Sequence, residues 1–278
     1  MSTLAPPAAA VAALERLIDY AGLFPPAKLA VTQALEGYRA ASRGDRAWML
    51  GRFIVPLAAL EQMPAGIPLS VIVEARKDAF ETLAGARRTG ARRIEALEIP
   101  PAAASRCAEL RSAFGWDDVP VYLELPASGG MEAQIEAAAA HNLRAKLRCG
   151  GVEPQMYPSV AGVARFIRCA LAARLPFKAT AGLHHPVRRN DPQAGVTMHG
   201  FLNLLAAAAF AYEHQSIVEA IVAEEDPRAF GLADELRWRE HRADAAAIAA
   251  VRKRFVGYGS CSFDEPVEDL AGLGILAK

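Results

Sequence analysis

Short apolar runs, each closed by Pro, Gly or a polar turn, recur along this chain with Ala-rich amphipathic stretches between them. That alternation predicts βαβ units and a parallel sheet. Strands are expected at Met49–Pro56, Leu69–Ala75, Ile94–Pro100, Val119–Pro126, Arg144–Gly150 and Phe177–Leu183. Two more runs, Leu17–Phe24 and Phe255–Phe263, complete the eight that a closed (β/α)8 barrel requires. Leu236–Glu240 competes for the last place, but Phe255–Phe263 is preferred because the helix-like EPVEDLAGLGIL follows it. The expectation is an α/β fold: one TIM barrel over residues 1–278, opened by a helix around Ala8–Arg16. A mostly helical insertion is expected from about Gly200 to Arg254, before the last strand.

With 278 residues and 53% hydrophobic content, the chain can build one large core. Its 31 basic and 31 acidic residues cancel without forming a block of either sign, so no nucleic-acid partner is indicated. Leu202–Phe210 is too short to span a bilayer, and the amino terminus has no basic leader before a long apolar run. Cys107, Cys149, Cys169 and Cys261 form no CxxC pair, which fits reduced thiols; a cytoplasmic location is expected. Phe201–Tyr212 reads as a subunit contact of a homo-oligomer or as a lid, and the sequence does not choose between them.

Alternate residues of a barrel strand face inward, and here an unusual number of them near the carboxyl ends are charged or polar. Arg52, Glu74, Glu98, Glu124, Lys146 with Arg148, and Lys178 with Thr180 all precede a Pro, Gly or loop. Unpaired charges cost several kcal/mol each to bury, on the order expected for single ions. The set is therefore read as a polar mouth, with mutual ion pairing the alternative for any one member. Lysine is scarce, six residues against 25 arginines, yet Lys146 and Lys178 lie inside apolar strand runs. A lysine beside another cation or away from water loses its proton more readily and becomes a nucleophile.

GYGSCSFDEP places Ser260 and Ser262 at the start of the last helix, where an anion would be favoured; a tight turn capped by Asp264 is the plainer reading. His184 and His185, which follow the lysine strand, and His199 form an alternative set of ligands for zinc or another divalent metal, with Cys149 and Glu124 as further ligands. Asp19 and Tyr20 join the mouth if Leu17–Phe24 is the first strand. No GxGxxG after a strand, GxxxxGK[ST] or HExxH is present, so no cofactor is expected.

Lys146 and Lys178 stand 32 residues apart in KLRCGG and FKATAGL. That arrangement resembles the deoxyribose-phosphate aldolase family of class I aldolases, where two lysines occupy neighbouring strands. LIDYAGLFPPA, IEALEIP and VGYGSCS are similar, in order, to the family's opening, acidic-strand and closing motifs. The resemblance implies that Lys146 forms a Schiff base, Lys178 assists its ionisation and Glu95 stands where the family has a proton-transferring aspartate. Strand alternation instead puts Glu98 on the face of the other charges. The sequence departs from the family in the residues after Lys146 and in lacking the second glycine and the arginine after FKATAGL.

The expected function is thus that of a lyase or aldolase-like enzyme acting on a small anionic carbonyl compound, with Lys146, Lys178, Glu95 and Glu98 catalytic. Arg148, Thr180, His184, His185, Glu124, Glu74, Arg52, Ser260 and Ser262 would hold the substrate. The alternatives are a metal-dependent lyase, isomerase or hydrolase at the histidines, and a non-catalytic barrel that binds an anion.

Overall fold

The computed structural model describes residues 6–74, 78–100, 118–127, 130–192 and 195–276. Eight parallel strands close into a barrel. Seven come in chain order: β1 (Ile18–Tyr20), β2 (Leu50–Pro56), β3 (Pro68–Ile72), β4 (Arg93–Ile99), β5 (Val121–Leu125), β6 (Arg144–Arg148) and β7 (Phe177–Thr180). The eighth, β13 (Phe255–Ser260), pairs with β7 on one side and β1 on the other. All eight expected runs are strands of this TIM barrel; Ala75, at the end of the third, lies outside the described residues.

Side-chain alternation sorts each strand into two faces. On the outer face Phe177 packs between Phe166 and Phe255, with ring centroids 5.5 and 5.3 Å away. Phe166 comes from α5 (Val160–Ala172), whose first turn is capped by the Ser159 hydroxyl accepting from the Gly162 amide. The other helices that flank the sheet are α1 (Ala8–Leu14), α2 (Val31–Arg43), α3 (Ala79–Thr89) and α4 (Met131–Ala140). After β2 the chain makes only a 3-10 turn over Leu57–Gln62 before entering β3.

The segment between β7 and β13 is more mixed than the mostly helical insertion expected. A hairpin, β8 (Arg189–Asp191) with β9 (Val196–Met198), leads into α6 (Phe201–Phe210) and α7 (Val218–Ala223). A three-stranded antiparallel sheet follows, formed by β10 (Phe230–Leu232), β11 (Leu236–Trp238) and β12 (His241–Ala243). The run that competed for the eighth place is β11, at the centre of this separate sheet. α8 (Ala245–Arg252), capped by Asp244, returns the chain to β13, and α9 (Asp264–Gly272) completes the last unit.

α6 also departs from expectation. Nine of its ten residues are buried, it packs against α5 and α7, and Phe201 stacks on Tyr258 at 4.8 Å. An all-round apolar helix is an interior helix. The stretch is thus covered by its own chain, which removes the subunit-contact and lid readings of it; within it Tyr212, 57% exposed, reaches the surface. Among the described residues no helix is long and apolar enough to cross a membrane.

Candidate active site

The barrel interior is built from the alternate residues of each strand, and at mid-height these are polar. Lys146 and Lys178 are direct register partners on β6 and β7, which brings two ammonium groups together. Glu98 on β4 separates their charges. One of its oxygens accepts from Lys178 Nζ at 2.7 Å and from Ser70 Oγ at 2.7 Å; the other accepts from Lys146 Nζ at 3.0 Å. Lys178 Nζ also donates to Asp19 Oδ2 at 2.6 Å, and Asp19 Oδ1 accepts the Arg52 amide at 2.7 Å. On the other side Lys146 lies 3.0 Å from Glu124, which holds Arg148 through two contacts of 2.7 and 3.4 Å. Asp19, Lys178, Glu98, Lys146, Glu124 and Arg148 thus alternate in sign across the barrel.

Burial sharpens this arrangement. Glu98 is 0%, Lys178 1% and Lys146 4% exposed. Burial alone would raise the pKa of Glu98, but the Lys178 and Lys146 ammonium groups outweigh it and hold the carboxyl well below the usual carboxylate range. For Lys178 burial favours the neutral form, yet Asp19 and Glu98 outweigh it and keep the ammonium charged to higher pH than usual. Glu124 is likewise lowered against its burial, by Lys146 and Arg148. The Tyr122 ring lies 5.7 Å from Lys178 Nζ, and Arg144 donates to the Tyr122 hydroxyl at 3.1 Å.

A cavity of about 730 Å³ opens above this layer, at the carboxyl ends of the strands, with Lys146, Arg148, Thr180 and His184 in its wall. Lys178 and Glu98 lie beneath, outside its lining. Such barrels bind and react at this end. Gly259 leaves room here: a Cβ would stand 2.9 Å from Ile54 Cδ1.

Several expected site residues are elsewhere. Glu95 does not meet the lysines; it pairs with Arg16, Arg52 and Arg93 at the amino-terminal end of the barrel. Alternation already separates Glu95 from Glu98, three residues on, and Glu95 is also the extra residue of a bulge, since Leu69 pairs with Ile94 but Ser70 with Ala96. Arg52 sits behind Asp19, its guanidinium 3.9 Å from that carboxylate and bridging to Glu95, outside the cavity wall. Glu74 makes no hydrogen bond or ion pair to the lysines among the described residues, and its Oε2 is buried without a hydrogen-bond partner there.

The serines of the last turn are structural: the Ser260 hydroxyl accepts the Ser262 amide and the Ser262 hydroxyl accepts the Glu265 amide. Neither lines the cavity, whereas Gly259 and Cys261 do.

The histidines also separate. His184 lines the cavity, 3.2 Å from Glu265 and 3.9 Å from Cys261 Sγ. His185, its ring 6.5 Å from that of His184 and 3.8 Å from the same Glu265, lines a separate cleft and pairs with Asp269 at 2.6 Å. His199 is buried and donates its Nε2 proton to the Pro158 carbonyl at 2.8 Å. Burial also lowers its pKa, so the ring is held neutral. The three imidazoles therefore do not converge, and among the described residues no three His, Cys, Asp or Glu side chains form a group suited to a metal ion. Cys149 is fully buried, and burial pushes its thiol pKa far up, which disfavours the thiolate.

Asp19 and Ser70 complete the buried layer. The only sequence signal for Ser70 was a lone hydroxyl at an inward position of an apolar strand run. No protein-family model matches the sequence, and the curated proteins searched contain no match.

Proposed function

We propose that this barrel is a lyase of the class I aldolase kind, in which Lys146 forms an imine with a small carbonyl compound entering the mouth. One observation carries the reading: Lys146 is the ammonium that reaches the cavity, and it shares Glu98 with the buried Lys178. Two ammonium groups on one carboxylate weaken its hold on either. Glu124, 3.0 Å from Lys146 and nearer the mouth, is placed to take and return the proton.

The freed amine attacks the carbonyl carbon, a C–N bond forms, and the carbonyl oxygen leaves as water. The iminium carries the same single positive charge as the original ammonium. Glu98 and Glu124 therefore face a cation before and after, so the electrostatic design suits the product as well as the resting lysine. The iminium then draws in the electron pair of an adjacent C–C or C–H bond. The TIM-barrel fold is commonly enzymatic, which agrees with this reading without naming the reaction.

A second reading rests on the same six groups: three cations and three carboxylates neutralise one another, as they would in a silent ion-pair core. Exchange of the hydrogens next to the carbonyl for deuterium, followed by NMR with a panel of aldehydes and ketones in D2O, separates the two. Exchange above background that disappears in Lys146→Ala is expected. Equal exchange in wild type and variant would leave the silent network standing.

A further inference from the structure

Resting on that reading, we infer that the carbonyl compound has an apolar body, lacks a phosphoryl group and carries at most one negative charge. The cavity that Lys146 reaches is also lined by Ile54 and Ile72 from the strands and by Phe24, Pro25 and Pro26 from the loop after β1. Val152, Met156 and Tyr157 of the loop after β6 line it too. That loop is pre-shaped. A Cβ on Gly151 would stand 2.2 Å from the Met156 sulfur, and one on Gly150 2.7 Å from the Tyr157 ring. The Tyr157 hydroxyl is occupied with the Gly151 carbonyl at 3.1 Å, so the residue offers the cavity its ring.

Val152 is 72% and Met156 37% exposed, so two large apolar side chains of the lining stay open to solvent. Apolar side chains left open around a concave site with few polar groups mark a ligand that covers them. A polyhydroxylated chain would lose its water here and find few partners beyond Thr180, His184 and Asp191. Lys146 and Arg148 are already bonded to Glu98 and Glu124, and Tyr157 is satisfied.

A phosphate dianion would be opposed further. In the last βα turn, a usual phosphate seat in such barrels, the Ser262 and Glu265 amides are taken by the Ser260 and Ser262 hydroxyls. The first turn of α9 carries Asp264 and Glu265, which already answer the helix dipole. His184 faces Glu265, and Asp191 adds another carboxylate to the wall. Among the described residues around the cavity, the one guanidinium is Arg148, held by Glu124, which leaves attraction for a single carboxylate at most.

The test uses probes that cannot form an imine, so it stands apart from the chemistry above. 1-Hexanol, hexanoate and glycerol 3-phosphate are titrated into wild type, Met156→Asp and Val152→Asp, with binding followed by ligand-observed NMR. Both substituted positions are solvent-facing, and circular dichroism checks that the variants fold. Saturable binding of hexanol and hexanoate, weakened at least about fivefold in Met156→Asp, with glycerol 3-phosphate bound at least about tenfold more weakly, is expected. Tighter binding of glycerol 3-phosphate, or apolar binding indifferent to both substitutions, would overturn the inference. Failure of the Schiff-base reading would instead show as absent deuterium exchange while hexanol still binds.

Discussion

Replacing Glu98 by Gln is the perturbation that loads the network most. The carboxylate is fully buried and bonded to two ammonium groups and to Ser70. Glutamine keeps the shape but removes the charge, and its amide NH2 must face an ammonium donor whichever way it is turned. Lys178 then keeps Asp19, and Lys146 keeps Glu124, but the buried layer gains one uncompensated positive charge. Removing one partner of a buried pair costs about 3–5 kcal/mol. At ~2–4 °C per kcal/mol for a large domain, this lowers the thermal midpoint by roughly 6–20 °C.

Differential scanning calorimetry of wild type and E98Q at pH 7 measures it. Tyr122→Phe is a useful comparison, because it removes one bond to Arg144 and leaves every charge in the network in place. A midpoint for E98Q within 2 °C of wild type, about the precision of one small interaction, would refute the placement of Glu98 as a shared counter-ion.

Because the pKa of Glu98 is lowered in the folded state, its stabilising contribution is present above the ordinary carboxylate range and is lost as the pH falls toward its folded value. The wild-type melting temperature should therefore fall steeply with acidification below about pH 4.5, and that of E98Q less steeply, in melts across a pH series. Tyr258→Phe should stabilise the protein by about 1 kcal/mol, read from urea midpoints, since the hydroxyl is fully buried without a hydrogen-bond partner among the described residues. Gly150→Ala should cost about 1–3 kcal/mol in the same assay, because its Cβ would meet the Tyr157 ring and the Gly182 backbone at 2.7 and 2.8 Å. The Cys149 thiol should resist Ellman's reagent in the folded protein and react on addition of urea; rapid native labelling, located by peptide mapping, would contradict its burial.

Much of this architecture was legible because the physics that fixes it is local. Apolar runs closed by Pro or Gly became strands, and the helix-like segment after Phe255–Phe263 distinguished the closing strand from Leu236–Glu240. The inward positions of Glu98, Lys146 and Lys178 followed from alternation alone. Alternation also separated Glu95 from Glu98, three residues on; what it did not show is the bulge that makes Glu95 an extra residue between β3 and β4. A bulge depends on how two strands meet, which one strand's sequence does not record. The histidines misled for a similar reason. His184 and His185 adjoin in sequence but diverge into two clefts, and His199 is drawn inward by the Pro158 carbonyl, 41 residues away. Of the three-stranded sheet inside the insertion only the central strand was read, in Leu236–Glu240, because strands of three residues are too short for a periodic signal.

The central claim is that Lys146 is the nucleophile and Lys178 its buried neighbour. Borohydride reduction in the presence of a panel of aldehydes and ketones, followed by intact-mass spectrometry and peptide mapping, tests it most directly. A single reduced adduct on Lys146 in wild type, absent from Lys146→Ala, is the predicted result. An adduct on Lys178, or wild-type protein left unmodified by every carbonyl in the panel, would contradict the account.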